Sequence, residues 1–365
     1  MKHLIKYFLI FTVFVTYNHS IKAQSYNLPR CLEGVSGMIY YNNTLLAIDD
    51  HGSSMIYYID TTGDVFDSVD THIAFKDLEE ISQDSLYVYL GDFGNNDTGN
   101  RTDLKIYKIL KSSLSGQLKI DSICFSYSNQ TDFSQQANNK TDFDCEAMIV
   151  KDSSIYLFNK QWISMKTSLY RIPNTIGNQT AELISTYNIN GLITGADYIK
   201  EINKIMLVGY SKLMIPFYIC LSGFQNDNNF LGYTIDKQNL INYSFHQIES
   251  ITNSDNTTFY LANEKLTYNG VTITQQLHKL YIPNYSNLNN LYSSEDDVII
   301  YPVPVRNVIN IKCKNIIRVS IYNNIGEQIF QKKYSPRNNC KINLKNYQHG
   351  EYVVNIEKQD KSKNK

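Results

Sequence analysis

The chain has little charge and no concentration of it. Its 34 Lys and Arg residues nearly balance 35 Asp and Glu over 365 residues, a formal net charge of −1. Neither a nucleic acid nor an anionic membrane surface is implied as a partner. No sustained helical periodicity appears before Leu291, which excludes a helical body. The six cysteines (Cys31, Cys124, Cys145, Cys220, Cys313, Cys340) contain no CxxC unit, which argues against a zinc site. There is no GxSxG, HExxH, Walker A or dinucleotide fingerprint, so the familiar nucleophile, zincin and nucleotide sites are not indicated. Tryptophan occurs once, as Trp162. Apart from one run near the N-terminus there is no long apolar stretch, so no membrane span is expected in the mature chain.

What the chain has is strand formers. It carries 29 Tyr and is 42% hydrophobic, too apolar for a disordered protein. Tyr, Ile and Thr favour pleated, half-buried surfaces. Asn, Ser and Thr supply the polarity that charge does not. An all-β chain is predicted.

The N-terminus reads as a secretory signal peptide over residues 1–23. Lys2 and Lys6 form a basic start, Tyr7 to Val15 an apolar core, and Ala23 a small residue before Gln24. That core is far shorter than the ~20 residues a bilayer requires.

The C-terminal residues 291–365 read as a short linker and a separate small β-sandwich. Alternating runs, such as Val308-Ile-Asn-Ile and Arg318-Val-Ser-Ile-Tyr, argue half-buried strands. Gly326 and Gly350 fall between runs, where turns need positive φ. The Tyr301-Pro302-Val303-Pro304 opening, the Tyr322-Asn-Asn-Ile-Gly326 hairpin and the Gly350-Glu-Tyr352-Val-Val ending form one pattern. It resembles the C-terminal sorting domain of the type IX secretion system of Bacteroidetes. Val303 departs from that family, which usually has Asn between the prolines. The resemblance implies the type IX machinery as a partner, and a secreted or outer-membrane surface location reached through the periplasm. Cys313 and Cys340 fall on neighbouring predicted strands and are expected to pair.

Between these ends, residues 24–290 repeat one theme. A small or acidic cluster leads into an apolar residue, and a polar turn and a strongly apolar strand follow. Val35-Ser-Gly-Met, Asp77-Leu-Glu-Glu-Ile, Asp144-Cys-Glu-Ala-Met, Thr194-Gly-Ala-Asp-Tyr and His246-Gln-Ile-Glu-Ser-Ile are the lead-ins. Marked at Ser36, Glu79, Glu146, Gly195 and Glu249, they recur at the ~40–50-residue spacing of a β-propeller blade. The Glu79–Glu146 interval is longer and carries two loop-like insertions. Five visible units and one degenerate unit predict a six-bladed propeller, with five or seven blades as alternatives and paired β-sandwiches as the competing fold. The strand near Leu277 is expected to close the ring with the N-terminal blade. Gly91-Asp-Phe-Gly-Asn-Asn, Thr141-Asp-Phe-Asp-Cys-Glu-Ala and Leu192-Ile-Thr-Gly-Ala-Asp-Tyr resemble a group of secreted Bacteroidetes propellers of uncharacterised activity. That resemblance implies the fold.

The acidic lead-ins are the candidate site. Asp77, Glu79, Asp144, Glu146, Asp197 and Glu249 are expected to converge at one channel mouth. Two like charges ~4 Å apart repel by about 4 kcal/mol at an effective dielectric of ~20, so such a ring calls for a cation. Oxygen ligands favour Ca²⁺, with Glu79, Glu146 and Glu249 as metal ligands. The competing reading is that each acid bonds neighbouring backbone and locks adjacent blades. Lys160, Glu264, Asp92 and Asn95 follow the second strand of their units and are secondary candidates, as is His246. Trp162 is either core or a stacking platform for sugars. The function this predicts is a ligand-binding module for a glycan, peptide or small molecule. The alternative is a calcium-dependent hydrolase like the phytase-like and lactonase-like propellers.

Overall fold

The computed structural model describes residues 13–17, 23–224, 228–268, 270–282, 299–301, 307–323, 327–347 and 352–359. Two compact units result, residues 22–283 and residues 1–21 with 284–365.

The larger unit is a β-propeller. Blade 1 comprises Val35–Tyr41, Thr44–Asp49, Met55–Ile59 and Val65–Asp70, each pairing antiparallel with the next. Blade 2 comprises Leu78–Gln83, Tyr87–Asp92, Lys105–Leu110 and Ile120–Tyr127. Blade 3 comprises Asp144–Lys151, Ser154–Lys160, Thr167–Pro173 and Gly177–Tyr187. Blade 4 comprises Leu192–Ile199, Lys204–Tyr210, Pro216–Ser222 and Thr234–Asn239. Blade 5 takes Ile248–Asn253, Thr258–Asn263 and Gln276–Tyr281, then borrows Ala23–Asn27 as its outer strand. The innermost strands contact one another in cyclic order, and the fifth returns to the first.

The ring therefore has five blades, not the expected six. The five marked units are the five blades, and no degenerate sixth is present among the described residues. The extra length lies in the loops of blade 2 and in a blade 5 hairpin, Leu266–Tyr268 with Val271–Ile273. The strand near Leu277 does close the ring, but by pairing with Ala23–Asn27 inside blade 5 rather than with blade 1.

The apolar second strands are buried on both faces, as a central strand of stacked blades must be. In blade 1, Leu45 and Ala47 pack toward Tyr260 and Leu277 of blade 5. The alternate residues Leu46 and Ile48 pack toward Ile81 and Val88 of blade 2. Likewise Ile155 and Leu157 face blade 2, while Tyr156 and Phe158 face blade 4. The hydrophobic core is thus a set of interblade layers, which leaves the channel to polar side chains. Blades 2 and 3 are also joined at their outer edges, where Ile120–Tyr127 runs parallel to Gly177–Tyr187.

The smaller unit is a sheet of Val13–Tyr17, Ile299–Tyr301, Val308–Tyr322, Gln328–Asn343 and Tyr352–Lys358. Register breaks at Lys312/Ile316 and Ile316/Arg318 interrupt the ladder of its two long strands. Their inward residues, among them Ile309, Val319, Ile342 and Tyr352, share one core. Tyr301 lies on the first of the C-terminal strands, whereas Pro302, Pro304, Gly326 and Gly350 lie outside the described residues. Val13–Tyr17 pairs parallel with Tyr352–Lys358. The described residues contain no disulfide, so the expected Cys313–Cys340 bond is not formed. Cys340 sits opposite Ile311, which leaves Cys313 on the diagonal, typically too long a separation for a disulfide. No helix among the described residues is long and apolar enough to cross a membrane.

Candidate functional site

The five innermost strands share one irregularity. Each ladder slips by one residue near its start, at Val35/Gly37, Leu78/Glu80, Cys145/Ala147, Ile193/Gly195 and Ile248/Ser250. The skipped residues are Ser36, Glu79, Glu146, Thr194 and Glu249, one per blade. A β-bulge leaves its extra residue unpaired and re-aims its side chain. These five side chains therefore form the inner tier of one channel mouth, and all five are buried.

They do two different jobs. Ser36 donates to the Leu78 carbonyl at 2.9 Å, and Thr194 to the Ile248 carbonyl at 2.6 Å. Each hydroxyl so ties its blade to the next. Glu79, Glu146 and Glu249 make no such latch and instead line a cavity of about 240 Å³.

A second tier stands above them, one residue past Asp49, Asn159 and Asn263, the second-strand partners of the residues just before the bulges. It brings Asp50, Lys160 and Glu264 into the same cavity. Lys160 Nζ lies 2.7 Å from Glu146 Oε2 and 3.8 Å from Glu249 Oε2. The ammonium also sits 4.8 Å from the Trp162 ring centroid and 5.4 Å from that of Tyr210. Burial works against its charge, but Glu146 and Glu249 outweigh burial and hold the Lys160 pKa well above its ordinary value.

One ammonium faces five carboxyl groups here. Burial, reinforced by Glu146 and Asp77, pushes Glu79 well above the usual carboxylate range. Burial carries Asp50 up to about 7, and burial together with Glu249 carries Glu264 up to about 9. Two carboxylate oxygens, Glu249 Oε1 and Asp50 Oδ1, are buried with no hydrogen-bond partner among the described residues. The amide oxygen of Asn139, on the same wall, is a third. The His51 ring stands 3.8 Å from Asp50 Oδ1.

The two blade 2 insertions build that wall. They zip together through Gln136 N–H to the Thr98 carbonyl and Asn139 N–H to the Asn96 carbonyl, both 2.8 Å. Asn96, Asn138 and Asn139 then reach the cavity.

The other expected members of the ring fall elsewhere. Asp144 accepts from Asn95 N–H at 2.7 Å and from Trp162 Nε1 at 2.8 Å, so it locks blade 3 to the blade 2 loop. Asn95, donating to Asp144 and to the Phe143 carbonyl, belongs to the same lock. Asp92 accepts from the backbone of Lys76 and Asp77 and pairs with Arg101 at 3.0 Å. Asp77 lies beside Glu79, both carboxyls packed where Gly94 has no side chain, but it does not line the cavity. Asp197 lies three residues beyond its blade's bulge and opens on the opposite channel mouth, where its carboxylate accepts from Asn253 N–H at 2.8 Å. Burial raises its pKa to about 7. In blade 4 the bulged residue is Thr194, one residue before the Gly195 that marks its repeat. His246 bonds the Tyr243 carbonyl and faces His278 rather than the cavity.

Glu80 separates the two mouths. Its carboxylate accepts from Ile81 N–H at 3.0 Å and from Ala196 N–H of blade 4 at 3.1 Å, with Met148 N–H of blade 3 a further donor. Gly37 of blade 1 leaves room for it, since a Cβ there would stand 2.9 Å from Glu80 Oε1. Glu80, Asp50 and Asn139 are the residues the repeat reasoning missed. Asp50 had a legible signal, because it stands at the end of its blade's second strand as Lys160 and Glu264 do.

The fold and these two tiers define an all-β propeller with an acid-lined channel mouth, followed by a β-sandwich tail. Residues 299–365 match the family described as "Secretion system C-terminal sorting domain". The tail is a sorting domain of the type IX kind, and the body is a β-propeller. No curated protein matches the chain. Among solved structures, the chain is similar to the PQQ-bound aldose sugar dehydrogenase from Streptomyces coelicolor, at 12% identity and a TM-score of 0.40, covering 71% of this chain and 98% of that one. It is similar to a streptogramin B lyase at 10% identity and a TM-score of 0.38, covering 71% and 98%. It is also similar to the glutaminyl cyclase of Myxococcus xanthus, at 6% identity and a TM-score of 0.40, covering 74% and 97%. Likenesses this remote say nothing of activity.

Proposed function

We propose that the chain is an exported propeller whose acidic channel mouth binds a divalent cation, Ca²⁺ by preference, and with it an extracellular ligand. The signal peptide over residues 1–23 and the sorting domain would carry it through the periplasm to the cell surface or medium of a Bacteroidetes cell.

The observation that carries this reading is Glu249. Its side chain is 7% exposed, it lines the cavity, and its Oε1 has no hydrogen-bond partner among the described residues. A buried acceptor left unmade costs about 1–3 kcal/mol, more when charged. Asp50 Oδ1 and Asn139 Oδ1 share its situation. Carboxylate and amide oxygens are the ligands a hard ion takes. Glu79, Glu146, Glu249, Asp50 and Glu264 would supply them, with Lys160 neutralising the Glu146 side.

The hydrolase reading is less favoured. A phosphoester also needs basic side chains about its oxygens, and Lys160, the basic side chain lining this cavity, is already held by Glu146 at 2.7 Å.

The test is the melting temperature of the exported chain in Ca²⁺ and in EDTA. A ligand at ~100 times its dissociation constant adds about 2.7 kcal/mol to the folded state. We expect a Ca²⁺-dependent rise that Glu249→Gln abolishes. A flat response in wild type overturns the cation site.

A further inference from the structure

We infer that the opposite mouth of the channel is a second binding site, and that it takes a neutral saccharide. This site stands apart from the cation reading above, since the two mouths share no lining residue among the described residues.

The mouth opens on a cavity of about 670 Å³, within the ~300–1,000 Å³ of small-molecule pockets. Four blades supply its rim through the turns that join their first and second strands. Ser85 comes from blade 2, Asp152 from blade 3, Lys200 from blade 4 and Asn256 from blade 5.

Those turns are braced from within. Asp84 Oδ1 accepts from Leu86 and Tyr87 N–H, both at 2.7 Å, and Asp84 Oδ2 from the Tyr89 hydroxyl at 2.6 Å. Asp255 Oδ1 accepts from Thr257 N–H at 3.0 Å and from Thr258 N–H at 2.7 Å. Asp197 accepts from Asn253 N–H, and Asp152 pairs with Lys151 at 2.6 Å. Four of the five carboxylates of this mouth, all but Glu201, are thereby engaged. A rim held this way is ordered before a ligand arrives, which lowers the entropy cost of binding.

The throat below the rim presents hydroxyls. Ser82 lines the cavity at 8% exposure, and its hydroxyl makes no hydrogen bond among the described residues. Thr252 is 2% exposed, and its Oγ1 accepts from Tyr40 N–H at 2.9 Å, which leaves its proton to give. Ser82, Asp197 and Thr252 each stand three residues past the bulge of their inner strand, so they share one depth in the ring. Buried hydroxyls call for partners, and here the open space is where a partner fits.

Ligand class follows from what these groups still offer. Thr252 has a proton to donate, and an ammonium or guanidinium has no lone pair to receive it. An anion could receive it, but would meet five carboxylates with Lys200 as the basic side chain of the lining. An apolar ligand would cover both hydroxyls and answer neither. A ligand hydroxyl donates and accepts, which matches Ser82, Thr252 and the Asn256 amide together. Tyr198 lines the same mouth half-buried, its ring fixed by the 2.9 Å bond from its hydroxyl to Asn203 Oδ1. A ring so held suits the C–H face of a pyranose.

Isothermal titration calorimetry of the exported chain in EDTA tests the site. Glucose, galactose, mannose, lactose and cellobiose are the sugars, with inorganic phosphate and spermidine as the anionic and cationic probes. We expect saturable binding of at least one sugar, unchanged in Glu249→Gln and weakened roughly three- to tenfold by Ser82→Ala. Tyr198→Ala should weaken it as well. Ser82→Ala removes a hydroxyl that bonds nothing in the fold, so its Tm should equal that of wild type, and weaker binding then reports on the ligand. A silent sugar panel overturns the inference. So does sugar binding that Ser82→Ala and Tyr198→Ala leave unchanged, or that Glu249→Gln abolishes. Binding of phosphate or spermidine in place of sugar overturns it too. Because the titration is run in EDTA, silent sugars on protein whose Tm rises with Ca²⁺ remove this inference and leave the cation site standing.

Discussion

Glu80 Oε2 accepts a hydrogen bond from the backbone N–H of Ala196 at 3.1 Å, although the two residues belong to blades that are not neighbours in the ring. The same carboxyl serves Ile81 N–H and Met148 N–H. One buried side chain thus joins three inner strands at the channel centre. Burial holds its pKa well above the usual carboxylate range, with those N–H groups opposing. Glu80→Ala leaves buried backbone donors without an acceptor, at about 1–3 kcal/mol each. For a domain of this size ~1 kcal/mol moves Tm by about 2–4 °C. Calorimetry should therefore show Glu80→Ala melting at least ~5 °C below wild type. An unchanged Tm would mean the strands hold without it.

Lys160 and Glu146 form a buried pair at 2.7 Å, each side chain 4% exposed. Removing one partner of such a pair typically costs about 3–5 kcal/mol, whereas replacing both is often near neutral. Lys160→Met should lose about that much stability in urea denaturation with EDTA present. Adding Glu146→Leu to it should recover most of the loss. Additive losses in the double variant would show that the two residues act separately.

Stability without divalent cations should fall as pH rises. Glu264 has an ordinary value of 4.5 and is raised to about 9 by burial and Glu249. Asp50 is raised from 3.8 to about 7 by burial. Between the unfolded and folded values the folded chain holds more protons, so the slope of stability against pH is negative. The Glu264 contribution is complete below pH 4.5 and is lost as pH climbs through 9, by at most about 1.4 kcal/mol per pH unit. Tm of wild type minus that of Glu264→Gln, followed from pH 5 to 9, isolates the group. A difference that does not change with pH would show that Glu264 ionises freely.

Ring closure depends on Ala23–Asn27. Ser25 Oγ meets His278 Nδ1 at 2.8 Å, and His278 Nε2 meets Asn263 Oδ1 at 2.8 Å. Burial, with His246 adding, depresses His278 to about 3. Processing after Ala23 would leave Gln24–Asn27 in place. A chain starting at Leu28 loses the closing strand and should melt well below one starting at Gln24, by circular dichroism. Equal melting would assign closure to side-chain packing alone.

Much of this was legible in the chain. The all-β class, the sorting tail and five recurring units rest on local alternation and turn residues, which act within a few positions. Glu79, Glu146, Glu249, Lys160 and Glu264 were found because equivalent positions of a repeat share one depth in the ring. Blade number was not legible. Loop insertions such as those around Asn96 and Asn139 lengthen a unit without adding strands. The acidic markers also mixed two kinds of residue. Asp144 and Asp197 satisfy backbone groups, while the three bulged glutamates do not.

The sequence alone determined which segments pair locally, because a period of two and its turn residues need no distant partner. It also carried the sorting signature, since that pattern lies within one C-terminal segment, residues 299–365. The tertiary structure decided which acids face the cavity. Facing depends on a one-residue bulge at the start of each inner strand, and a slip of one residue reverses the face a side chain takes. It also decided that Glu80, adjacent to Glu79 in the chain, spans the ring instead of lining its mouth.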